Sequence, residues 1–312
     1  MMSQIDDDVE PNLSNLKWKK IGKAVALMIY PLKSSTEPGR YSSFDFRDYG
    51  MCTTDGGSHF WDGMFIVYNK TKDKFEDIRR YPALKSAEVV QTNITKAMFS
   101  SAHADSGALP LDINPYRNPS YSFTKETWNG TLETYYDSNN EVNQLLYELI
   151  YAEDINETKQ DITLAQIIPS NWDSTERIKD NWSLFVQGYE NIENDQTGKL
   201  ITLPRFVLMT SRTFLKLHGT KTYASPNIIV YTDESIDPFE EKNWDWIKIG
   251  ENVILKNIKP ISSIFSSPIE KQFQHFGIYC GLWTGGNVKE DDDVFISDTS
   301  DTVSTEAKKK DI

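Results

Sequence analysis

Cysteine and histidine are scarce in this chain of 312 residues, with 2 of the first and 4 of the second. Cys52 and Cys280 stand far apart, and one pair cannot staple a chain this long as several pairs staple small secreted domains, so both are read as buried thiols. His59, His103, His218 and His275 are never spaced so that two rings on one helix or strand could reach the same metal. Basic residues are outnumbered: 33 Lys and Arg against 46 Asp and Glu give a formal net charge of −13, which repels phosphate backbones unless the basic groups gather on one surface. Long apolar runs are missing too. The run "AVALMIY" at 24–30 is far too short to cross a bilayer as a helix. The acidic start "MMSQIDDDVEPN" lacks the basic and apolar parts of a secretory signal, so neither a membrane span nor export is expected.

The short signatures of nucleotide and hydrolytic chemistry are also absent. No G-x-x-x-x-G-K-[ST], G-x-S-x-G or H-E-x-x-H occurs, and the pairs Gly56-Gly57 and Gly285-Gly286 do not open helices. The chain is therefore not expected to be an enzyme. A glycoside hydrolase needs only two facing carboxylates, which no linear pattern reveals, so a carboxylate-dependent hydrolase stands as an alternative.

What is present is strand. Hydrophobic residues make up 38%, charged residues 25% and aromatics 12%, the composition of a globular protein. Short runs rich in Val, Ile, Phe, Tyr and Thr predict strands at 24–30, 64–69, 87–95, 121–128, 183–189, 205–210, 213–218, 227–232, 245–249, 253–258 and 275–283. "WIKIGENVILKNI" reads as a hairpin, with Ile247 and Ile249 alternating before a turn at Gly250–Asn252 and Val253 and Leu255 after it. One helix is clear: in "NNEVNQLLYELIYAEDI" Val142, Leu145, Leu146, Leu149 and Ile150 share a face, with Asn139 or Asn140 as its cap. A second, weaker helix is expected at 174–181. Segments 33–63 and 100–120, dense in Pro, Gly, Ser and Asp, read as long loops.

The strands do not alternate with amphipathic helices, so the fold class is all-β: an antiparallel β-sandwich or jelly roll with long loops and one or two helices. The expected organisation is a mobile acidic arm over 1–16, a single sandwich domain over 17–286 and a polar tail over 287–312.

Five groups are candidates for chemistry. Asp6, Asp7 and Asp8 on the arm could supply oxygens to a divalent cation such as Ca2+ where several copies meet on a symmetry axis. In "LKWKKIGK", Lys17, Trp18, Lys19 and Lys20 interleave cations with an indole, as single-stranded nucleic acid favours, and "YNKTKDKFEDIRRY" over 68–81 repeats the pattern. Lysines on an edge strand also discourage aggregation without any ligand. His59, Trp61 and Asp62 in "GGSHFWDG" could line a ligand loop, or Phe60 and Trp61 could simply pin it from inside. Asp233, Glu234, Asp237, Glu240 and Glu241 fail the EF-hand spacing and read as a solvated acidic loop.

Taken as a layout, an ungrouped amino-terminal arm, an antiparallel body, the embedded helix and long loops such as "STEPGRYSSFDFRDYGMCTTDGGSHFWDG" and "ADSGALPLDINPYRNPSYS" resemble a small jelly-roll capsid protein of a nonenveloped icosahedral virus. The invertebrate parvoviruses, or densoviruses, are the most similar. The chain departs from that family in lacking its glycine-rich amino-terminal stretch and the phospholipase calcium loop of its longer forms. The resemblance implies self-assembly into a shell, location in the virion and many copies of itself as partners. It also implies single-stranded DNA on the inner face near Lys17–Lys20, and Asp6–Asp8 near a fivefold axis. A ligand- or glycan-binding sandwich is the other alternative.

Overall fold

The computed structural model describes residues 13–33, 35, 38–47, 49–53, 60–78, 80–102, 107–113, 122–126, 132–151, 160–168, 206–217, 225–262 and 275–297. The fold is mainly β, as expected, and the strands close on themselves. β1 (Lys19–Ile29), β13 (Phe206–Thr210), β14 (Ile228–Thr232), β15 (Trp246–Ile249), β16 (Val253–Ser262), β17 (His275–Thr284) and β19 (Asp293–Ser297) form a 7-strand barrel. Its order is β14-β13-β17-β16-β15-β19-β1, and the seam is the β1–β14 pair. The short β2 (Gly39–Arg40) pairs with the end of β1.

A 5-strand sheet, order β10-β11-β12-β5-β6, is built from β5 (Phe65–Asn69), β6 (Lys74–Glu76), β10 (Ser122–Glu126), β11 (Leu132–Asp137) and β12 (Ile162–Ile168). Two 3-strand sheets complete the set. One orders β18 (Gly286–Lys289), β3 (Ser43–Arg47) and β4 (Gly50–Thr53); the other is β7 (Ala87–Asn93), β8 (Lys96–Ser101) and β9 (Leu109–Asp112).

One apolar core runs from the barrel lumen outward. Leu27, Leu208, Val230, Ile247, Leu255 and Ile278 belong to it, and so do Phe44, Phe65, Phe99 and Val142 beyond the barrel. The hairpin register is the one the alternation dictates: Ile247 faces Leu255 and Ile249 faces Val253, all four buried. Helix α1 (Asn140–Tyr151) buries Val142, Leu145, Leu146, Leu149 and Ile150 against this core. Asn139 is its cap, since the Val142 N–H donates to Asn139 Oδ1 at 2.8 Å.

Several expectations are corrected. The strand expected at 213–218 is helical as far as the described residues reach: Ser211–Leu217 form helix α2. Strands β13 and β14 are parallel, so they need a crossover instead of a tight turn, and Thr210 caps the helix that supplies it, its Oγ1 accepting the Thr213 N–H at 3.1 Å. The parallel pair also departs from a purely antiparallel sheet. The segment 33–63 is not one long loop but holds β2, β3 and β4, and 100–120 holds β9.

The polar tail does not begin at 287. β18 pairs with β3 and β19 sits between β1 and β15, with Val288 and Val294 buried, because "DVFIS" alternates despite the acids before it. At the other end, Leu16 of the expected arm is buried and residues 13–15 form a 3-10 turn. The helix expected at 174–181 and the strand at 183–189 lie outside the described residues.

Candidate functional site

The amino-terminal basic stretch lies on the outside of the barrel. Lys17, Lys19 and Lys20 are exposed, and Trp18 is half-buried. Lys20 pairs with Asp293 at 2.7 Å. The Lys248 ammonium stands 5.3 Å from the centre of the Trp18 ring and 4.6 Å from that of Phe295, because β1, β19 and β15 are adjacent in the sheet. Of these four residues, one lysine is thus already neutralised by an acid and the indole is already covered by a cation. Around the nearby β1–β14 seam, Val25, Leu215 of α2 and Tyr231 are exposed large apolar side chains.

Trp61 and Asp62 face into the fold. Trp61 is buried and packs edge-on against Tyr49 at 5.6 Å. Asp62 Oδ1 accepts the Tyr30 N–H at 2.7 Å and the Asn227 side-chain amide at 3.0 Å. These contacts match the reading in which the loop is pinned from inside. His59, like Asp6, Asp7 and Asp8, lies outside the described residues. Among the described residues no three His, Cys, Asp or Glu side chains gather to hold a metal ion.

The acidic loop is solvated only in part. Asp233 Oδ1 accepts the Ser235 N–H at 2.8 Å in a local turn. Glu241 instead points inward and is fully buried. It accepts the Thr213 hydroxyl at 3.0 Å and contacts Thr210 at 3.4 Å, and burial raises its carboxyl above the ordinary value.

The second basic and aromatic stretch, 68–81, is where the structure adds most. In β5, Phe65 and Val67 face the main core while Ile66 and Tyr68 face a separate cluster with Tyr135, Ala165, Phe75, Phe123 and Ile167. The five-strand sheet curls around this cluster, so that side chains from its two edge strands pack across it. Phe123 of edge strand β10 stacks on Tyr68 at 4.2 Å, and Phe75 of the opposite edge strand β6 reaches Tyr135 at 5.3 Å. Asp73, in the turn before β6, accepts from the Lys125 ammonium of β10 and from the Tyr68 hydroxyl. The Lys125 hydrogen bond lowers the Asp73 carboxyl below its ordinary value, and burial raises the Tyr68 hydroxyl above its own.

At one open end of the curl is a depression of about 310 Å³ lined by Tyr68, Lys70, Ser122, Phe123 and Asp137. Lys70 follows β5, Asp137 ends β11 and Ser122 begins β10, so the antiparallel pairing brings all three to the same end. Lys70 and Asp137 form an ion pair. Sequence spacing marks Tyr68, Lys70 and Phe75 as one group; Phe123, Lys125 and Asp137 join them only through the sheet, and no linear signal announces that. No family model matches the chain, and no curated protein matches it.

Proposed function

We propose that the chain is a structural protein that assembles with copies of itself into a closed shell, as its resemblance to small capsid proteins of nonenveloped viruses implies. The observation that carries this reading is the apolar group on the outside of the barrel, where Val25, Leu215 and Tyr231 are 40%, 69% and 59% exposed. Single exposed apolar side chains are ordinary, but these three are carried on the adjacent β1, β14 and α2, and apolar side chains grouped in this way suit a contact face, in which tyrosine is a favoured anchor. Lys23 lies directly across from Tyr231 in the ladder, and Asp233 and Glu234 follow β14. The face therefore carries both charge signs, and one copy can offer its lysine to the acids of the next.

On this reading Lys17–Lys20 would meet packaged DNA and Asp6–Asp8 would gather around a divalent cation. Chromatography with light scattering, followed by electron microscopy of the purified chain, tests assembly. Closed particles of roughly 20–30 nm are expected, the size that many copies related by closed symmetry would reach. Tyr231→Asp and Leu215→Asp should each shift the population to monomer. A wild-type chain that stays monomeric at high concentration, or particles untouched by both substitutions, would remove the reading.

A further inference from the structure

We infer that the outer face of the sheet β7-β8-β9 is a docking surface for a second copy of this chain, the two sheets stacking face to face about a two-fold axis. One face used isologously ends at a dimer, so a closed shell needs a contact besides the barrel exterior. The role as that further contact rests on the assembly reading; the pairing itself does not.

The three strands alternate cleanly between core and solvent. Ala87, Val89, Ala97, Phe99 and Leu111 are buried in the main core, whereas Val90 is 48% exposed, Pro110 is exposed and Met98 is half-buried. Register sets these last three side by side, since Val90 pairs with Met98 and Met98 with Pro110. They make one apolar row across the whole sheet, and Ile94, in the turn between β7 and β8, is 53% exposed. A grouped apolar row on an open face suits burial against another surface. Strand addition along β9 is a poorer outlet, because Pro110 carries no N–H for a new ladder.

The charges identify the other surface. Two residues from the row on one side is Glu88, paired with Ser100; two residues away on the other is Lys96, paired with Asp112. A uniformly acidic or basic partner would be attracted on one side of the row and repelled on the other. This same face turned over fits both sides: a two-fold axis along the row lays the row on itself and brings Glu88 of each copy to Lys96 of the other. Both side chains retain capacity for that contact. Lys96 meets Asp112 at 2.7 Å with side chains 45% and 58% exposed, an ion pair worth little by itself, and its ammonium has three donors. Glu88 Oε1 takes the Ser100 hydroxyl at 2.8 Å, and a carboxylate accepts more than one donor. Three strands of about five residues make a face of roughly 15 Å by 17 Å, at the low end of contacts, so a weak pair with Kd on the order of 0.1–1 mM is expected.

Sedimentation of the full chain carrying Tyr231→Asp isolates this contact from the barrel face. That chain should run as a monomer when dilute and dimerise towards about 1 mM, and adding Val90→Asp should abolish the dimer. Glu88→Lys or Lys96→Glu, each placed in the same chain, should weaken pairing at least about tenfold, since like charges then face each other. Mixed in equal amounts, the two variants should pair again, because both facing positions are then opposite in sign. Should a variant fail to fold, a zero-length carbodiimide applied to the Tyr231→Asp chain decides, with mixed isotope labels reading the expected Glu88–Lys96 link between copies. No dimer at about 1 mM, no such link, or variants that fail to rescue each other would overturn the proposal. So would a dimer indifferent to Val90→Asp and to both reversals, as backbone pairing along edge strand β7 would be. Wild-type particles beside a strictly monomeric Tyr231→Asp chain remove this contact alone; a pairing Tyr231→Asp chain beside a wild type that forms no particles removes the shell alone.

Discussion

Asp62 and Asn227, 165 residues apart in sequence, meet at the start of β14, where the Asn227 amide donates to Asp62 Oδ1 at 3.0 Å. The same oxygen accepts the Tyr30 N–H, and Asn227 in turn donates to Met28 O at 3.2 Å and accepts the Val207 N–H at 3.0 Å. This pair ties the loop before β5 to β1 and β13 at once. Asp62→Ala strands two donors away from water, at about 1–3 kcal/mol each where they stay buried. A loss of roughly 2–3 kcal/mol and a fall in Tm of ~3–5 °C are expected by calorimetry. Asp62→Asn, which keeps an acceptor, should lose less.

Glu241 makes stability depend on pH in a defined direction. Its folded carboxyl titrates above the ordinary value because it is buried, so over that interval the folded chain holds a proton the unfolded chain has released. Stability from this group is therefore highest below the ordinary carboxyl range and falls as pH rises through it towards the raised folded value. Glu241→Gln keeps an acceptor for the Thr213 hydroxyl and removes the titration. Urea unfolding at pH 4 and pH 7 should show the wild type losing more between the two than the variant. Equal losses would mean that the carboxyl is not held off its ordinary value.

How much of this was legible in the sequence depends on whether an element's partner is near it along the chain. The β15–β16 hairpin and helix α1 could be read from side-chain period alone, because each buries its own alternating or three-and-four-spaced face. Helix α2 could not. "SRTFLKL" has the aromatic and aliphatic content of a strand, and only the parallel pairing of β13 with β14 demands a crossover there. β19 was hidden by the acids before it, although Val294 and Ile296 alternate as a strand should. The depression at Asp137 was invisible for the same reason: Tyr68, Phe123 and Asp137 are brought together by ladders β10–β11, β11–β12 and β12–β5, and spacing does not encode register.

Both thiols should be silent in the native protein. Cys52 and Cys280 are unpaired and buried, and burial pushes Cys52 up to about 11 and Cys280 higher still. At pH 8 a thiol titrating near 11 is on the order of 0.1% thiolate, too little for fast attack. A chromogenic disulfide reagent should therefore count no reactive thiol in native protein and 2 after denaturation. A fast-reacting thiol in the native state would show that one of the two sites opens.

Closure of the barrel depends on a missing side chain. Gly22 is where β1 is paired on both sides, to Val294 of β19 and Thr232 of β14. A Cβ there would lie 1.8 Å from the Tyr231 carbonyl oxygen, a backbone atom held by its own strand. Gly22→Ala must therefore push the seam open, and a loss of ~3 kcal/mol or more is expected, the scale of severe overpacking. Gly63 is the opposite case: φ is +71°, yet nothing stands within 4 Å of an added Cβ. Its alanine variant meets only the left-handed backbone penalty, roughly 1–2 kcal/mol. Hydrogen exchange separates the two. Gly22→Ala should strip protection from β1, β14 and β19 amides, while Gly63→Ala should leave them slow; a barrel that tolerates alanine at 22 would mean that β1 and β14 are not joined there.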